Sequence, residues 1–487
     1  MTARVLLALS LLVPATSLAQ DGPPAKDDFK EKTVKHKKDV TRLRGLDFKG
    51  EVTVGAYSKD ELVAFLKAEF EKDLPKEKAE RFQRAYAKFG LIPKDLDIHE
   101  AYMELFGSSI AGFYHPKTKE LRLIKPGGDD GLEEKMAKAA GIDMEAITLV
   151  HELTHAAQDQ NYELSTLPLE DETNDDLILA LKSAIEGDAS AVGWKYQFKD
   201  QFDSVIGMIN QQYKGGQLPG KANKLPAYLK LSLTFPYGHG TDFIVQTLKG
   251  TQGELKDISK IFKDLPISSE QILHPAKYHD ERDHPTLVLL DAEKVVGGGW
   301  KESFNNVHGE FGVKVLLREF RGDKLRLPVV EKASAGWDGD RYVVLEDANK
   351  NTAYVWATTW DSEDDAKEFI EAYAWALEKK HGLPVGESDV EDKVDLGKAD
   401  ALLERKGADV LVIEGLPAEL RKKSDALWRA VKKSEMTGFE RLKKFVCEKD
   451  GVKEAFSGAC KTCGKPLQFK DEEGKPPEKK RREFSPK

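Results

Sequence analysis

The chain has 487 residues, 40% of them hydrophobic and 33% charged, with a formal net charge of −9. That length accommodates roughly two to four domains with cores of their own. The modest acidic balance excludes a general nucleic-acid binder, which presents a basic face, and the odd set Cys447, Cys460 and Cys463 excludes a disulfide framework.

In chain order, residues 1–19 have the form of a secretory signal: Arg4, the apolar run Val5–Val13, then small residues at Ser17-Leu18-Ala19. The run is too short for a membrane span, and no other stretch approaches about 20 apolar residues. An exported chain is therefore expected. Residues 20–40 are charged, lack periodicity and read as a disordered lead-in. A helical region over 41–100 follows. Leu62, Phe65, Leu66 and Phe70 recur at helical spacing, and a second helix around Phe82–Phe89 is stopped by Gly90. Residues 110–124 alternate as two strands around His115-Pro116-Lys117-Thr118, which predicts a β-hairpin.

Asp143 is placed to cap a helix running to about Gln160, and a second long helix starts near Thr173–Asp175 and passes Trp194. Helix and loop occupy 225–280. Residues 291–415 read as a smaller α+β appendage: strands over 341–347 and 352–360, joined by a turn at Ala348–Asn351, and an amphipathic helix over Ser362–Lys380. Trp337, Trp356, Trp360 and Trp375 are expected in its core. Residues 416–487 are Lys-rich. The run KKRR at 479–482 reads as a solvated tail, and a disulfide involving Cys447 is favoured over an incomplete metal ribbon.

The first long helix carries His151-Glu152-x-x-His155. A spacing of four residues is just over one helical turn, so both imidazoles project from one face and can meet one Zn²⁺. Glu152, beside them, is placed to hold a water at the same ion and take its proton. The flanking Val150, Leu153, Thr154 and Ala156 are uncharged, as a buried helix requires. A catalytic zinc takes a third protein ligand and keeps an open position. Glu186 fits that role on the second helix, amid Ala184, Ile185, Ala189, Ala191 and Val192, with Gly187 permitting close helix approach. Asp159 is the rival ligand, disfavoured because it would have to reach past its neighbours on the same helix. Asp159 and Asp188 suit supporting roles instead.

This constellation resembles the gluzincin metallopeptidases, the clan of the thermolysin-like enzymes. The resemblance is nearer still to bacterial secreted proteins sharing AGFYHPKTKEL, LVHELTHAAQDQ, EGDA, FPYGHGTDFI, SSEQILHPAKY and GWDGDRY, and it extends over roughly residues 100–380. It implies an α+β fold with a zincin-like catalytic domain over 101–290: an edge hairpin, an active-site helix and a second, ligand-bearing helix. It implies a zinc-dependent peptidase acting on peptide or protein substrates, with metal ligands His151, His155 and Glu186 and Glu152 as general base. The substrate backbone would add to an edge strand at Gly112-Phe113-Tyr114 or Leu121-Arg122-Leu123. One departure stands out: Ser190 occupies the position four after Glu186, where thermolysin-like enzymes often place an Asp.

Peptide hydrolysis also needs a donor for the oxyanion, usually Tyr or His. The candidates are Tyr237 and His239 in FPYGHGTDF and His274 and Tyr278 in ILHPAKY, with Tyr237 and His274 ranked first. The competing reading is a non-catalytic binding or scaffold protein that keeps a zincin-like metal site.

Overall fold

In the computed structural model, residues 26–109, 112–115, 118–124, 137, 139–169, 171–218, 220–279, 282–386 and 392–436 are described, with short strands at 445–446, 453–454 and 468–469. The expected signal segment, the three cysteines and the KKRR run lie outside them.

The fold mixes α and β. Its first element corrects an expectation: Lys26–Arg44 is a helix, α1, not a disordered lead-in. Periodicity of apolar residues missed it because the buried stripe is mostly polar. Thr33, His36, Val40 and Arg44 recur at helical spacing and are all buried. Strand β1 (Thr53–Tyr57) leads to α2 (Lys59–Asp73), α3 (Lys76–Phe89) and α4 (Ile98–Ser109). Ser58 and Glu61 form a reciprocal capping box at the start of α2. Gly90, at φ 87°, closes α3, as its position suggests.

The hairpin forms from β2 (Gly112–His115) and β3 (Glu120–Ile124). β3 pairs antiparallel with β2 and parallel with β1, so it is the central strand and β1 and β2 are the edges. Of the two expected docking edges, only the Gly112–His115 strand is therefore open on one side. Helix α5 spans Met144–Tyr162, and Asp143 caps it by accepting from the Ala146 N–H at 3.0 Å. Helix α6 spans Asp175–Phe198, capped by Asn174. Helices α7 (Phe202–Lys214) and α8 (Ala227–Thr251) follow, then the short α9 (Ser269–Leu273). No helix among the described residues is long and apolar enough to cross a membrane.

The remainder builds a six-stranded antiparallel sheet. Strands β4 (Lys301–Asn306), β5 (Trp337–Glu346), β6 (Thr352–Trp360), β7 (Lys393–Leu396), β8 (Ala401–Lys406) and β9 (Asp409–Glu414) lie in the order β4-β5-β6-β9-β8-β7. Helix α10 (Gly309–Glu319) follows β4, and α11 (Glu363–His381) follows β6. The sheet is buried on both faces. Tyr342, Val344, Tyr354, Trp356 and Val412 face α3 and α11. Val343, Leu345, Val355 and Leu411 face Ala292, Val296 and Leu427. Trp337, Trp356 and Trp360 are buried as expected, and Trp375 is half-buried. The helices of 59–109 share the first of these cores with the sheet. A second core joins α1, the hairpin, α5, α6 and α8.

The tightest helix crossing is α6 on α8. A Cβ on Gly187 would lie 2.4 Å from the Gly240 carbonyl, and one on Gly240 would lie 2.3 Å from the Ser183 oxygen. Gly187 thus permits close approach, but to α8 rather than to α5. Gly240→Ala should destabilise the protein by about 1–3 kcal/mol or more, because backbone must separate from backbone. Gly207→Ala, in α7 with open space around it, should stabilise by about 0.5–1 kcal/mol. Denaturant titration of the two variants checks both.

Candidate metal centre

Helices α5 and α6 bring three donor atoms together. The Nε2 atoms of His151 and His155 are 3.0 Å apart, and each is 3.2 Å from Oε2 of Glu186. Donors about 2.1 Å from one tetrahedral ion would lie roughly 3.4 Å from each other, so this triangle has the size for a single ion. All three residues are buried, and they form a group able to hold a metal ion. The spacing argument for His151 and His155 is realised, and Glu186 arrives from α6.

The electrostatics of the group are tightly shared. Burial pulls His151 down to about 4. Burial also works against charge on His155, but the Glu186 carboxylate outweighs it and holds that imidazole up at about 9. Glu186 is held near 2 in spite of burial, by His155 and His151. The three residues thus hold one proton in common. A metal ion binding here would displace it, since an imidazole ligand must be neutral.

A supporting chain sets the tautomer. Gln158 lies one turn beyond His155, and its Oε1 is 2.8 Å from His155 Nδ1. The Gln158 Nε2 donates to the Ile185 carbonyl at 3.1 Å and to Asp188 Oδ2 at 2.9 Å. With its amide nitrogen committed to two acceptors, Gln158 presents its carbonyl to His155. Nδ1 must then carry the hydrogen, which leaves the Nε2 lone pair for a metal. Asp188 in turn accepts from Nε of Arg44, at 2.7 and 2.9 Å, and Arg44 Nη1 donates to Ser259 at 3.0 Å. Arg44 and Asp188 are both fully buried. Asp188, expected in a supporting place, is linked to His155 through Gln158. Ser190 leaves its Oγ without a hydrogen-bond partner. Sequence reasoning missed both Gln158 and Arg44. The i, i+3 spacing of His155 and Gln158 was a usable signal; no local signal points to Arg44, which is 144 residues from Asp188.

Glu152 is fully buried on α5. Its charge acts on His155 and on Tyr237, so it faces the same space. Asp159 is no ligand: it accepts from the Tyr114 hydroxyl at 2.8 Å and from Lys119 Nζ at 2.5 Å, tying the hairpin to α5.

Of the oxyanion candidates, the structure brings in Tyr237. Its ring lies 6.5 Å from that of His151, and it lies within electrostatic reach of Glu186. Burial, then the charges of Glu186 and Glu152, raise its pKa well above the usual phenol range. The motif FPYGHG builds this placement. Pro236 interrupts the hydrogen-bond ladder of α8. Gly238 seats α8 against the backbone of Lys214, and Gly240 seats it against α6. His274 is a correction. Its Nε2 pairs with Glu310 at 2.8 Å, and neither makes a hydrogen bond or ion pair with the metal group. His274 ends the short helix α9, whose cap orients it toward α10. His239 stacks on Phe235, and burial takes it down to about 3. Tyr278 donates to the Asp264 carbonyl at 2.6 Å. A second acidic group, Glu270, Asp283 and Asp361, already has its cation: Lys277 Nζ lies 2.6, 2.9 and 2.7 Å from the three.

Replacing Gln158 by Leu removes the carbonyl that holds the His155 tautomer. Metal affinity should fall roughly 10–100-fold, measured by competition with a chromophoric chelator.

Residues 294–424 match a family model described as a domain of unknown function, DUF8575. That region holds the six-stranded sheet and α11, and none of the metal group. No curated protein matches. Among solved structures the chain is similar to a crystal structure described as "a putative hydrolase with a novel fold" from Chloroflexus aurantiacus, at 18% identity and a TM-score of 0.33, covering 57% of this chain and 95% of that one.

Proposed function

We propose that the chain is a zinc-dependent metallopeptidase with a zincin-like catalytic domain. The observation that carries this reading is the convergence of His151, His155 and Glu186 on one point, with Glu152 buried beside them. In this reading the three residues hold the ion. A zinc ion so bound supplies Lewis acidity that polarises the scissile carbonyl and makes water a better nucleophile near neutral pH.

The residues of the chain then have separate tasks. Glu152 accepts the proton of the attacking water and passes it to the leaving amine nitrogen. Tyr237 donates its hydroxyl hydrogen to the oxygen that becomes negative, a task its raised pKa suits because it stays protonated. Gln158, backed by Asp188 and Arg44, keeps His155 in the ligand tautomer. The open edge of β2 offers main-chain hydrogen bonds to an extended substrate beside α5.

Metal analysis of the purified protein, with hydrolysis of a mixed peptide library in the presence and absence of a chelator, tests the reading. One zinc per chain and chelator-sensitive cleavage are expected; zinc without cleavage would favour the scaffold alternative. Glu152→Gln should retain its zinc and lose activity by roughly 10²–10⁴-fold. Wild-type turnover in that variant would sink the mechanism. Tyr237→Phe should lower kcat by about 10²–10³-fold with zinc content unchanged, read by steady-state kinetics beside metal analysis.

A further inference from the structure

Asp175, Lys182 and Glu186 lie on α6 at spacings of seven and four, which aligns them on one stripe of the helix. Lys182 is only 2% exposed, and its Nζ has no hydrogen-bond partner. Lysine is almost never fully buried unless paired, and a buried amine without an acceptor costs folding free energy. Glu186 does not satisfy it: Oε2 of that carboxylate meets the two imidazoles, and Oε1 makes no hydrogen bond to the amine. Burial lowers the Lys182 amine to about 7, against the pull of Glu186 and Asp175.

The surroundings of this stripe are polar-aromatic. Tyr86, Tyr102, Tyr228 and Tyr342 all lie within electrostatic reach of Asp175, and Tyr237 within reach of Glu186. Lys182 thus lies along α6 between Asp175, whose charge reaches those tyrosines, and Glu186 of the metal group. A methionine or leucine would fill its buried place without the cost of the amine.

We propose that Lys182 is the anion-recognising residue of the same site and receives a carboxylate of the bound peptide, either its C-terminus or an Asp or Glu side chain. The inference rests on the metallopeptidase reading. Lys182 precedes Glu186 by about 6 Å of helix rise, a span of about two extended residues. The carboxylate it receives therefore belongs one or two residues from the bond that is cut. A terminal carboxylate at that distance makes the enzyme one that trims chain ends.

The test uses the full-length, zinc-loaded protein and a mixed tetrapeptide library synthesised as free acids and as C-terminal amides. The amide series also carries Glu against Gln at each position. Hydrolysis is measured with the wild type. Binding is measured by calorimetry with Glu152→Gln, and with the same variant carrying Lys182→Met or Lys182→Arg. Acid forms are expected to bind at least tenfold more tightly than their neutral counterparts. Lys182→Met should erase that preference at unchanged zinc content, and Lys182→Arg should restore it. A response confined to the terminal pair assigns the C-terminal carboxylate; one confined to Glu against Gln assigns a side chain. Equal binding of acids and amides overturns the proposal, as does a preference that survives Lys182→Met. Lys182-dependent carboxylate binding without hydrolysis of any peptide keeps the assignment and removes the peptidase reading. Hydrolysis indifferent to every pair does the reverse.

Discussion

Arg44 and Asp188 form a fully buried ion pair on which the metal group depends. Two charges withdrawn from water cost several kcal/mol each, so they persist only when their hydrogen bonds are well satisfied. Here Arg44 reaches both Asp188 oxygens and Ser259, and Asp188 also accepts from Gln158. The pair docks α1 on α6 and, through Gln158, decides which nitrogen of His155 carries hydrogen. An N-terminal helix remote in sequence thereby reaches the tautomer of His155. The polar stripe of α1 is the consequence: its Arg44 is buried because Asp188 pairs with it, and amphipathic reasoning alone would leave it in solvent.

The second constraint is the backbone contact between α6 and α8. Without side chains at Gly187 and Gly240, each glycine comes up against a backbone carbonyl of the other helix. This closeness carries Tyr237 to Glu186 and His151. The same short motif supplies the helix break at Pro236 and the clearance at Gly238, so three residues of FPYGHG act on backbone geometry and one on the site.

The sheet region supports the ligand helix from its other end. Arg341 on β5 donates to the Thr173 carbonyl at 2.5 Å, and Asn306 at the end of β4 accepts from the Asp175 N–H at 2.7 Å. Asp176 accepts from the Ser269 N–H at 3.0 Å. The N-terminus of α6 is thus tied to two strands and to α9, while Glu186, three turns further on, meets α5. Asp340 consolidates the junction by accepting from the N–H groups of His308 and Gly309 and from the indoles of Trp337 and Trp356. The buried carboxylate fixes the strand-to-helix corner between the sheet and α10.

What the sequence determined by itself is whatever local periodicity encodes. Four-residue spacing makes His151 and His155 neighbours on a helix. Asp143 caps that helix, alternation marks the hairpin and the β5–β6 pair, and apolar flanks mark Glu186 as inward-facing. These features depend on residues within a few positions of one another, so one sequence suffices to read them. The tertiary structure decided which distant groups meet. It selected Tyr237 and turned His274 toward Glu310, two residues that look equivalent as motif members. It joined Gln158 to Asp188 and Arg44, and it buried Lys182 on the same helix as Glu186 without a hydrogen-bond partner. Such pairings follow from helix crossing and burial, and the sequence carries no period for them because the energy that selects them arises only once the helices are packed.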